Sequence, residues 1–582
     1  LRSDLIHNAK TRCAWKGWLE GLLLAGAVVF LLFWAIGQRS LWASEGRWAE
    51  ITREMFTSGD FFHPTIGGEP YFDKPLLTYW LIAAFSAVSG RLDEFIIRLP
   101  SALAAFVTLV CTVYLGRRLW SRQAGWLAGG LLLTSYGLLM YSHVASAETE
   151  NLAAVMLVVT WYWTRRDRPG FVTFLVFYLI MFVGSHTKGL TAFVVPVLAI
   201  LPDLLRQGRW RCLLWPSHWL ALGIGVAVYF SPFVYAALSR PEGYQQNGLA
   251  LVFQENILRY IRPFDHKGPI YLYLGAVPLL TLPWAPILIG ALVVSASSWR
   301  KLDGHTRWLI QAILIIFAFF TLSGSRRSYY ILPIVPFCML LMAVFLAELG
   351  QEVVRTHRER GLQIQKYVLI VVAVLELVLG PAAVWVLVST RGWELPSLLG
   401  WSFLFVALAA LLVGVVAYKV AAKVLQSGQL QTIWALILMA GVLQGGFFAW
   451  QYNILDSCRT ERSFALQMKT VVESLPHERV AFVHRCEDRL LFYMEWDPPA
   501  TLLTDENALR AFLESEEPGI VISQSRYITE KTASLLPSQP AYAEVRHTWE
   551  SPDLCQKKLK AWLINADNSK ITVESKEANH AK

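Results

Sequence analysis

The feature that most constrains this chain is the recurrence of long apolar runs. They cover residues 17–36, 99–115, 126–141, 152–163, 172–184, 190–201, 219–238, 270–294, 308–322, 330–349, 367–388, 399–420 and 433–450. The longest reach the roughly 17–25 residues that cross a bilayer as a helix, and several central ones need flanking residues to complete a crossing. A hydrocarbon interior offers backbone amides no water to bond, so such runs fold as helices, which satisfy themselves. Of the 582 residues, 55% are hydrophobic and only 16% charged, against roughly a quarter charged in soluble domains. The 24 tryptophans and 21 tyrosines flank many of the runs, as interfacial anchors do. The expected fold class is an all-α polytopic membrane domain.

The net charge of +9 therefore does not imply nucleic acid as a partner; what matters is which loops hold the charge. Short stretches concentrate Lys and Arg: Lys10, Arg12 and Lys16; Arg117, Arg118 and Arg122; Arg165, Arg166 and Arg168; Arg206, Arg209 and Arg211; Arg300, Lys301 and Arg307; Arg355, Arg358, Arg360 and Lys366; Lys419 and Lys423. The positive-inside rule places all of them in the cytoplasm, with two crossings and one outside loop between consecutive clusters. One apolar stretch, 75–88, is short at about 14 residues. Counting it as a crossing would put Arg117, Arg118 and Arg122 outside, so it reads as an interfacial or re-entrant helix in a long first outside loop. The result is about thirteen crossings, with the N-terminus inside and the C-terminal tail outside. The first run is too long for a signal-peptide core and no clear small-residue cleavage pattern follows it, so it reads as a retained helix.

The boundaries expected are a transmembrane domain over 1–455 and a C-terminal domain over 456–582. The tail alternates short β-rich runs (480–483, 520–523, 541–545) with helix-like segments (459–475, 505–513), the pattern of a small α/β domain. Of the seven cysteines, Cys13, Cys111, Cys212 and Cys338 lie in the apolar part without metal-ligand spacing and read as small core residues. Cys458, Cys486 and Cys555 lie in the tail; in an oxidising compartment two of the three can pair.

The outside loops should be poor in Lys and Arg, yet they are not. Ionisable residues at membrane depth cost energy and are functional candidates. The first loop contains Glu45, Arg47 and a stretch in which Trp48, Ile51 and Met55 share a helical face, followed by a turn that delivers Asp73 and Lys74. An amphipathic helix lying on the membrane is the local expectation. The second loop places Glu148 and Glu150 at the mouth of a run, where helix-dipole pairing would also account for them. The third holds Lys188, for which snorkelling is the alternative. The fourth interleaves Glu255, Arg259, Tyr260, Asp265, His266 and Lys267, and the fifth holds Arg326 and Arg327 before Tyr329 and Tyr330. Cationic side chains at a membrane edge suit a phosphate or diphosphate headgroup, and carboxylates beside them suit activation of an acceptor.

At these residues the chain resembles the C-type glycosyltransferases related to lipid A aminoarabinose transferase and, more distantly, the protein O-mannosyltransferases. The matching segments are 47–55 with Ser58-Gly59-Asp60, 71–80, Arg98-Leu99-Pro100-Ser101, Lys188-Gly189, 255–259, 266–269, Leu282-Pro283-Trp284 and 330–336, in family order and spacing. The resemblance implies about thirteen spans, interfacial helices in the first outside loop and a small C-terminal periplasmic domain, in a bacterial inner membrane. It implies a polyprenyl-phosphate-sugar donor and inversion at the anomeric carbon. Glu45 and Glu150, with Glu148 competing, become the carboxylates near the reacting centre. Arg47, Lys74, Lys188, Arg259, Lys267, Tyr330 and Arg326 or Arg327 become contacts to a donor or acceptor phosphate. Asp73 and His266 match positions where members of the family can hold a divalent metal ion. Two departures stand out. Ser44 replaces the Asp that usually precedes the glutamate, which passes its role to Glu45. The second loop usually has a single Asp, and Asn151-Leu152-Ala153 aligns Glu150 with it.

The expected reaction is a direct displacement, in which an acceptor oxygen attacks the anomeric carbon opposite the lipid phosphate while cations stabilise the departing charge. Lipid A, another envelope glycan or a protein remain open as acceptors. A transporter of lipid-linked sugars would also want a cationic cavity, but the internal repeats common in transporters are not evident here.

Overall fold

The computed structural model describes residues 25–42, 44–246, 248–254, 258, 260, 267–349, 433–434, 436–446, 448, 461–524, 527–528, 535–536, 545–550 and 559–565. Outside the described residues lie the apolar runs 367–388 and 399–420, the basic stretches before residue 17 and beyond 350, Glu255, Arg259, Asp265, His266, Cys13, Cys458 and Cys555. The chain forms two compact units. One comprises Leu1–Ile36, Arg98–Phe233 and Leu249–Trp450, the other Gly37–Ile97, Val234–Gly248 and Gln451–Lys582.

The first unit is helical. Among the described residues, four helices are long and apolar enough to cross a membrane: Glu94–Leu119, Phe171–Lys188, Pro216–Leu238 and Gly304–Leu322. Two runs expected as single crossings are broken instead. Arg122–Leu133 and Tyr136–Ser142 meet at 58°, and Leu272–Leu280 and Ala285–Ser297 at 114°. The causes are local. At the first break the Thr134 and Ser135 hydroxyls turn back to the Gly130 and Leu132 carbonyls, at 2.8 Å each, the competition with the helix ladder that Ser and Thr offer. At the second, Pro283 supplies no backbone N–H. The two breaks face each other: Tyr136 N donates to Leu282 O at 2.9 Å, Trp284 Nε1 to Thr134 Oγ1 at 3.2 Å, and an added Cβ on Gly137 would lie 2.7 Å from Leu280 O. Each break thus helps satisfy polar groups at the other, as a low-dielectric interior requires.

The loops of this unit sort onto two ends. At one end Arg118 donates to Trp163 O at 3.3 Å and Trp120 Nε1 to Thr306 Oγ1 at 2.9 Å. There the fully buried Asp203 takes Tyr162 OH at 2.7 Å and Arg166 Nη1 at 3.1 Å to each oxygen. Arg209 reaches Asp167 at 2.6 Å. At the other end Ser101 donates to Ser146 O at 3.2 Å, Lys188 pairs with Glu148 and Lys267 bridges to Ser325. The basic stretches around 117–122, 165–168, 206–211 and 303–307 therefore share one end, and the loops read as outside share the other. Buried Arg98, in the Arg98-Leu99-Pro100-Ser101 motif, donates to Ile36 O at 2.6 Å.

The second unit joins the first outside loop to the tail. Helix Glu45–Ser58 forms where the sequence predicts it, and Trp48, Ile51 and Met55 are buried. Glu45, Glu50 and Glu54 are buried as well, so this helix is packed on more than the one face that an open membrane-surface helix would cover. It lies between helix Leu77–Ser89 and helix Asp488–Met494. Leu77–Ser89 has 13 residues, about 20 Å at 1.5 Å per residue, short of the roughly 30 Å hydrocarbon core. A hairpin of β1 (Thr65–Ile66) and β2 (Glu69–Pro70) turns through Gly67 and Gly68, both at positive φ.

The tail contributes a five-stranded sheet of β3 (Val480–Val483), β4 (Thr501–Leu503), β5 (Gly519–Gln524), β6 (Val545–Glu550) and β7 (Leu559–Ile564) in the order β4-β3-β5-β7-β6. The first three strands are parallel, and β7 pairs antiparallel with both β5 and β6. Val483, Leu503, Val521 and Trp562 pack with Leu509, Phe512 and Leu513 of helix Glu506–Glu514. The sheet is not a separate body from the first loop. Leu41 N donates to Tyr493 OH at 2.8 Å, Tyr493 OH donates to Glu94 at 3.0 Å and Ala500 N donates to Gly67 O at 2.9 Å. Cys486 is a free thiol whose pKa burial pushes up to about 12.

Gly46 is where helix Glu45–Ser58 meets the tail. A Cβ there would sit 2.1 Å from Arg489 Cγ and 2.9 Å from Arg489 N. Gly46→Ala is expected to lower stability by about 1–3 kcal/mol, as overpacking does, whereas Gly223→Ala, with nothing within 4 Å of its added Cβ, should be neutral or stabilising. Thermal unfolding in detergent compares the two; equal midpoints would contradict this packing.

Candidate active site

In the second unit a cluster of charge forms around Asp73. Helix Glu45–Ser58 carries Arg47, and the β1–β2 hairpin leads into the turn that carries Tyr71, Asp73 and Lys74. The turn is anchored by the buried Glu54. Its carboxylate accepts from Gly67 N at 2.5 Å, Gly68 N at 3.2 Å and Thr65 Oγ1 at 2.5 Å. Glycine at positions 67 and 68 permits the left-handed backbone that aims those amides inward. Arg47 Nη1 donates to Tyr71 OH at 2.9 Å and to Asp73 Oδ2 at 3.0 Å; Tyr71 OH donates to the same Oδ2 at 3.2 Å. Lys74 Nζ lies 3.4 Å from Oδ2 and donates to Asp73 O at 2.9 Å. The side chain of Asp73 is 36% exposed, Lys74 24% and Arg47 20%, so the cluster is half open. Asp73 Oδ1 has no hydrogen-bond partner. One carboxylate oxygen is thus held by two cations and a phenol, while the other is buried without a hydrogen-bond partner among the described residues.

Burial works against the Arg47 charge, but Asp73, with smaller contributions from Tyr79 and Tyr71, outweighs it and holds the guanidinium pKa above its ordinary value. Burial raises the Tyr71 phenol, opposed by Arg47. The phenol therefore stays neutral and remains a donor toward Asp73. Trp48 and Tyr79 pack against each other beside this cluster with ring centroids 4.5 Å apart.

Glu45, expected among the reacting carboxylates, sits elsewhere. It is completely buried and forms a two-pronged pair with Arg39: Arg39 Nη1 meets Oε2, and Nη2 donates to Oε1 at 3.1 Å. Trp42 N donates to Oε2 at 2.8 Å, and the Arg39 guanidinium lies 4.3 Å from the Trp42 ring centre. This geometry fits a carboxylate that fixes the chain entering the helix. Asp73, expected as a possible metal ligand, is surrounded by Arg47, Lys74 and Tyr71, a donor set that repels a cation. Among the described residues no three His, Cys, Asp or Glu side chains converge on a metal position. The surroundings of Asp73 do not fit a metal ion.

The helical unit carries a second cluster. Lys188, ending helix Phe171–Lys188, pairs with Glu148 in the first turn of helix Ala147–Arg165. Its ammonium lies 4.5 Å from the Tyr330 ring centre and 5.3 Å from that of Tyr329, within cation–π range. Arg327 is exposed and donates to Tyr329 OH at 2.8 Å. Arg326 instead donates to Gly268 O at 2.7 Å and to Thr321 O at 3.1 and 3.0 Å. Three carbonyl bonds commit that guanidinium to the loop, which separates two arginines the sequence could not. Lys267 is exposed beside Ser325. Glu150 is buried, with Oε1 taking Ser101 Oγ at 3.2 Å and Oε2 unpartnered. The less buried carboxylate of this loop is Glu148, its side chain 13% exposed and paired with Lys188. Arg259 and His266 lie outside the described residues. Sequence reasoning assigned no role to Tyr71, Tyr329 or Ser101. Tyr71 offered one signal, a phenol two residues before a carboxylate in an extended segment; Tyr329 and Ser101 meet their partners only through tertiary packing.

Comparison with known proteins places these clusters in context. Residues 73–235 match the family model of dolichyl-phosphate-mannose-protein mannosyltransferase. An undecaprenyl phosphate-alpha-4-amino-4-deoxy-L-arabinose arabinosyl transferase from Aeromonas salmonicida is 32% identical over 354 residues, 58% of this chain and 61% of that protein. One of the same name from Pseudomonas fluorescens is 28% identical over 418 residues, 70% of this chain and 68% of that protein. The chain thus spans about three fifths of the length of the first of these relatives. The crystal structure of ArnT from Cupriavidus metallidurans bound to undecaprenyl phosphate superposes with a TM-score of 0.73 at 19% identity, covering 94% of this chain and 98% of that one. The chain has the fold of that protein, mostly helical with several apolar helices, and is similar in sequence to the proteins that its motifs resemble.

The Arg39–Glu45 pair gives a stability test. Glu45→Gln leaves a buried guanidinium without its countercharge, and breaking a buried pair typically costs about 3–5 kcal/mol. The variant is expected to unfold at lower temperature or denaturant concentration. Unchanged stability with selective loss of turnover would return Glu45 to the reacting carboxylates.

Proposed function

We propose that this chain is an inverting glycosyltransferase of a bacterial inner membrane, moving a sugar from an undecaprenyl-phosphate donor to lipid A or another envelope glycan on the periplasmic side. The observation that carries this reading is Asp73, half open, with one oxygen fixed by Arg47, Lys74 and Tyr71 and the other unpartnered. A carboxylate in that state can accept a proton or orient a nucleophile, and the cations that hold it can take up charge on a departing phosphate. The relatives named as undecaprenyl-phosphate aminoarabinose transferases support the donor and the sugar class.

In this mechanism an acceptor oxygen attacks the anomeric carbon on the face opposite the lipid phosphate. The bond from that carbon to the phosphate oxygen breaks, and its electron pair leaves with the phosphate. A hydroxyl acceptor gives its proton to the Asp73 carboxylate. A phosphate acceptor needs no base, and Asp73 then only positions groups. Lys74 and Arg47 are assigned to phosphate. In the helical unit we assign Lys188 and Arg327 to phosphate contact, with Glu148 rather than Glu150 as the less buried carboxylate and Tyr330 as the face on which Lys188 rests. The reading takes about thirteen crossings, the N-terminus in the cytoplasm and residues 456–582 in the periplasm, from the distribution of Lys and Arg. A protein acceptor is the second reading, favoured by the family model over 73–235.

Mass spectrometry of lipid A and envelope glycans, with and without this protein, tests the reading. The expected result is a sugar increment present only with the protein. Asp73→Asn should cut transfer by about 10²–10⁴-fold, the range of a positioned proton acceptor, and Lys74→Ala should raise the donor KM. A sugar found on protein instead would establish the second reading. No sugar on lipid, glycan or protein would overturn both, and full activity in Asp73→Asn would remove Asp73 from the reaction.

A further inference from the structure

The turn that delivers Asp73 and Lys74 is short, and an isolated two-stranded hairpin is marginally stable in water. One edge of its extended segment is fixed by the hairpin itself, since Tyr71 N donates to Pro64 O at 2.8 Å. The opposite edge would expose Pro70 O and Phe72 N. Those are the two groups that a neighbouring parallel strand would bond on either side of Tyr71. Among the described residues no strand lies there. The side-chain amide of Gln246 takes the place of one: Phe72 N donates to Gln246 Oε1, and Gln246 Nε2 donates to Pro70 O at 2.6 Å.

The segment around Gln246 is held where this requires. Tyr244 OH donates to Pro64 O at 2.9 Å, the carbonyl that also receives Tyr71 N. His63 is clamped between Asp60 Oδ2 at 2.7 Å and Ala236 O at 2.8 Å, and its ring lies 5.1 Å from that of Tyr244. A cavity of about 120 Å³ remains behind the turn, lined by His63, Phe72, Arg240, Tyr244 and Gln246. The turn therefore has open space on this side, and the amide bonds of Gln246 bridge it. Asparagine is one methylene shorter and cannot span the same two groups. Glutamate can accept from Phe72 N but offers Pro70 O no donor.

We infer that Gln246 is a positioning residue for the reacting turn: it stands in for a missing β-strand across Tyr71 and so fixes the phenol that holds Arg47 and Asp73 in register. This rests on the proposed role of Asp73. Gln246 itself touches neither Asp73 nor Lys74 in any hydrogen bond described, so it acts through the backbone of Pro70 and Phe72.

The test uses the full-length protein in nanodiscs. Gln246→Ala and Gln246→Asn are expected to lower kcat at least 10-fold with a donor KM changed less than 3-fold, because the phosphate-binding cations remain. Gln246→Glu should retain partial activity through its single acceptor, and Gln245→Ala, an exposed neighbour, should match wild type. An independent readout follows the Tyr71 phenol by ¹³C-tyrosine NMR titration against Tyr71→Phe. Its pKa, raised by burial, should move toward the ordinary phenol value in Gln246→Ala as the turn loosens. An unmoved Tyr71 resonance and pKa together with wild-type kcat would overturn the inference. A shifted Tyr71 in a protein that shows no transfer in any form would instead uphold the strap and overturn the proposed function. A uniform loss of unfolding temperature with kcat and the Tyr71 titration unchanged would reduce Gln246 to a stabilising contact, also overturning it.

Discussion

Several buried charges among the described residues each have an opposite charge lying against them. In the helical unit, Asp203 can be wholly buried because Tyr162 and Arg166 close on it, and Lys188 is met by Glu148 and the faces of Tyr329 and Tyr330. In the second unit, Arg39 with Glu45 and Arg489 with Glu461 follow the same rule. An unpaired buried ion costs several kcal/mol, while a well-bonded pair comes close to breaking even. The pairs therefore record geometry more than stability: each fixes which helix end or loop lies beside which. Asp73 differs in its surroundings: Arg47, Lys74 and Tyr71 converge on one oxygen, while the other, itself buried, has no hydrogen-bond partner among the described residues.

Much of this was legible in the residues. The apolar runs announced a helical membrane fold, and the clusters of Arg and Lys sorted the loops into two sets that the helical unit does bring to two ends. Arg47, Asp73 and Lys74 were marked by charge where charge should be scarce. The breaks at Thr134–Ser135 and Leu282–Trp284 were hidden, because hydropathy averages over a run and is blind to a hydroxyl turning onto its own backbone. The burial of Glu45 was hidden for a related reason. A carboxylate beside an aromatic and an arginine reads the same whether it faces a substrate or a buried partner six residues upstream, and its full burial against Arg39 appears only in the folded chain. The difference between Arg326 and Arg327 lies in three hydrogen bonds to two backbone carbonyls that no spacing rule reveals.

The division of labour between the two units is also instructive. The tail reads as an appendage, with its own hydrophobic alternation and its own sheet. Its first helices and loops nevertheless close over the loop that carries Arg47 and Asp73: Arg489 fills the space that Gly46 leaves, and Ala500 continues the hairpin at Gly67. Small residues at 46, 67 and 68 are thus the sequence trace of a contact with a segment more than four hundred positions away. A side chain at those positions would need either another backbone conformation or another neighbour.

That contact has a consequence for how the protein comes into being. The hydrogen bond from Leu41 to Tyr493 spans 452 positions, so the loop bearing Arg47 and Asp73 leaves the ribosome long before the helix that will cover it. At ordinary rates of synthesis the wait is on the order of tens of seconds or more. During that time Leu41, Gly46 and Gly67 have no partner in the tail. The tail contacts at Gly46 and Gly67 are thus made last although the loop is made nearly first, and a chain that stops early would carry every residue of the cluster without that cover.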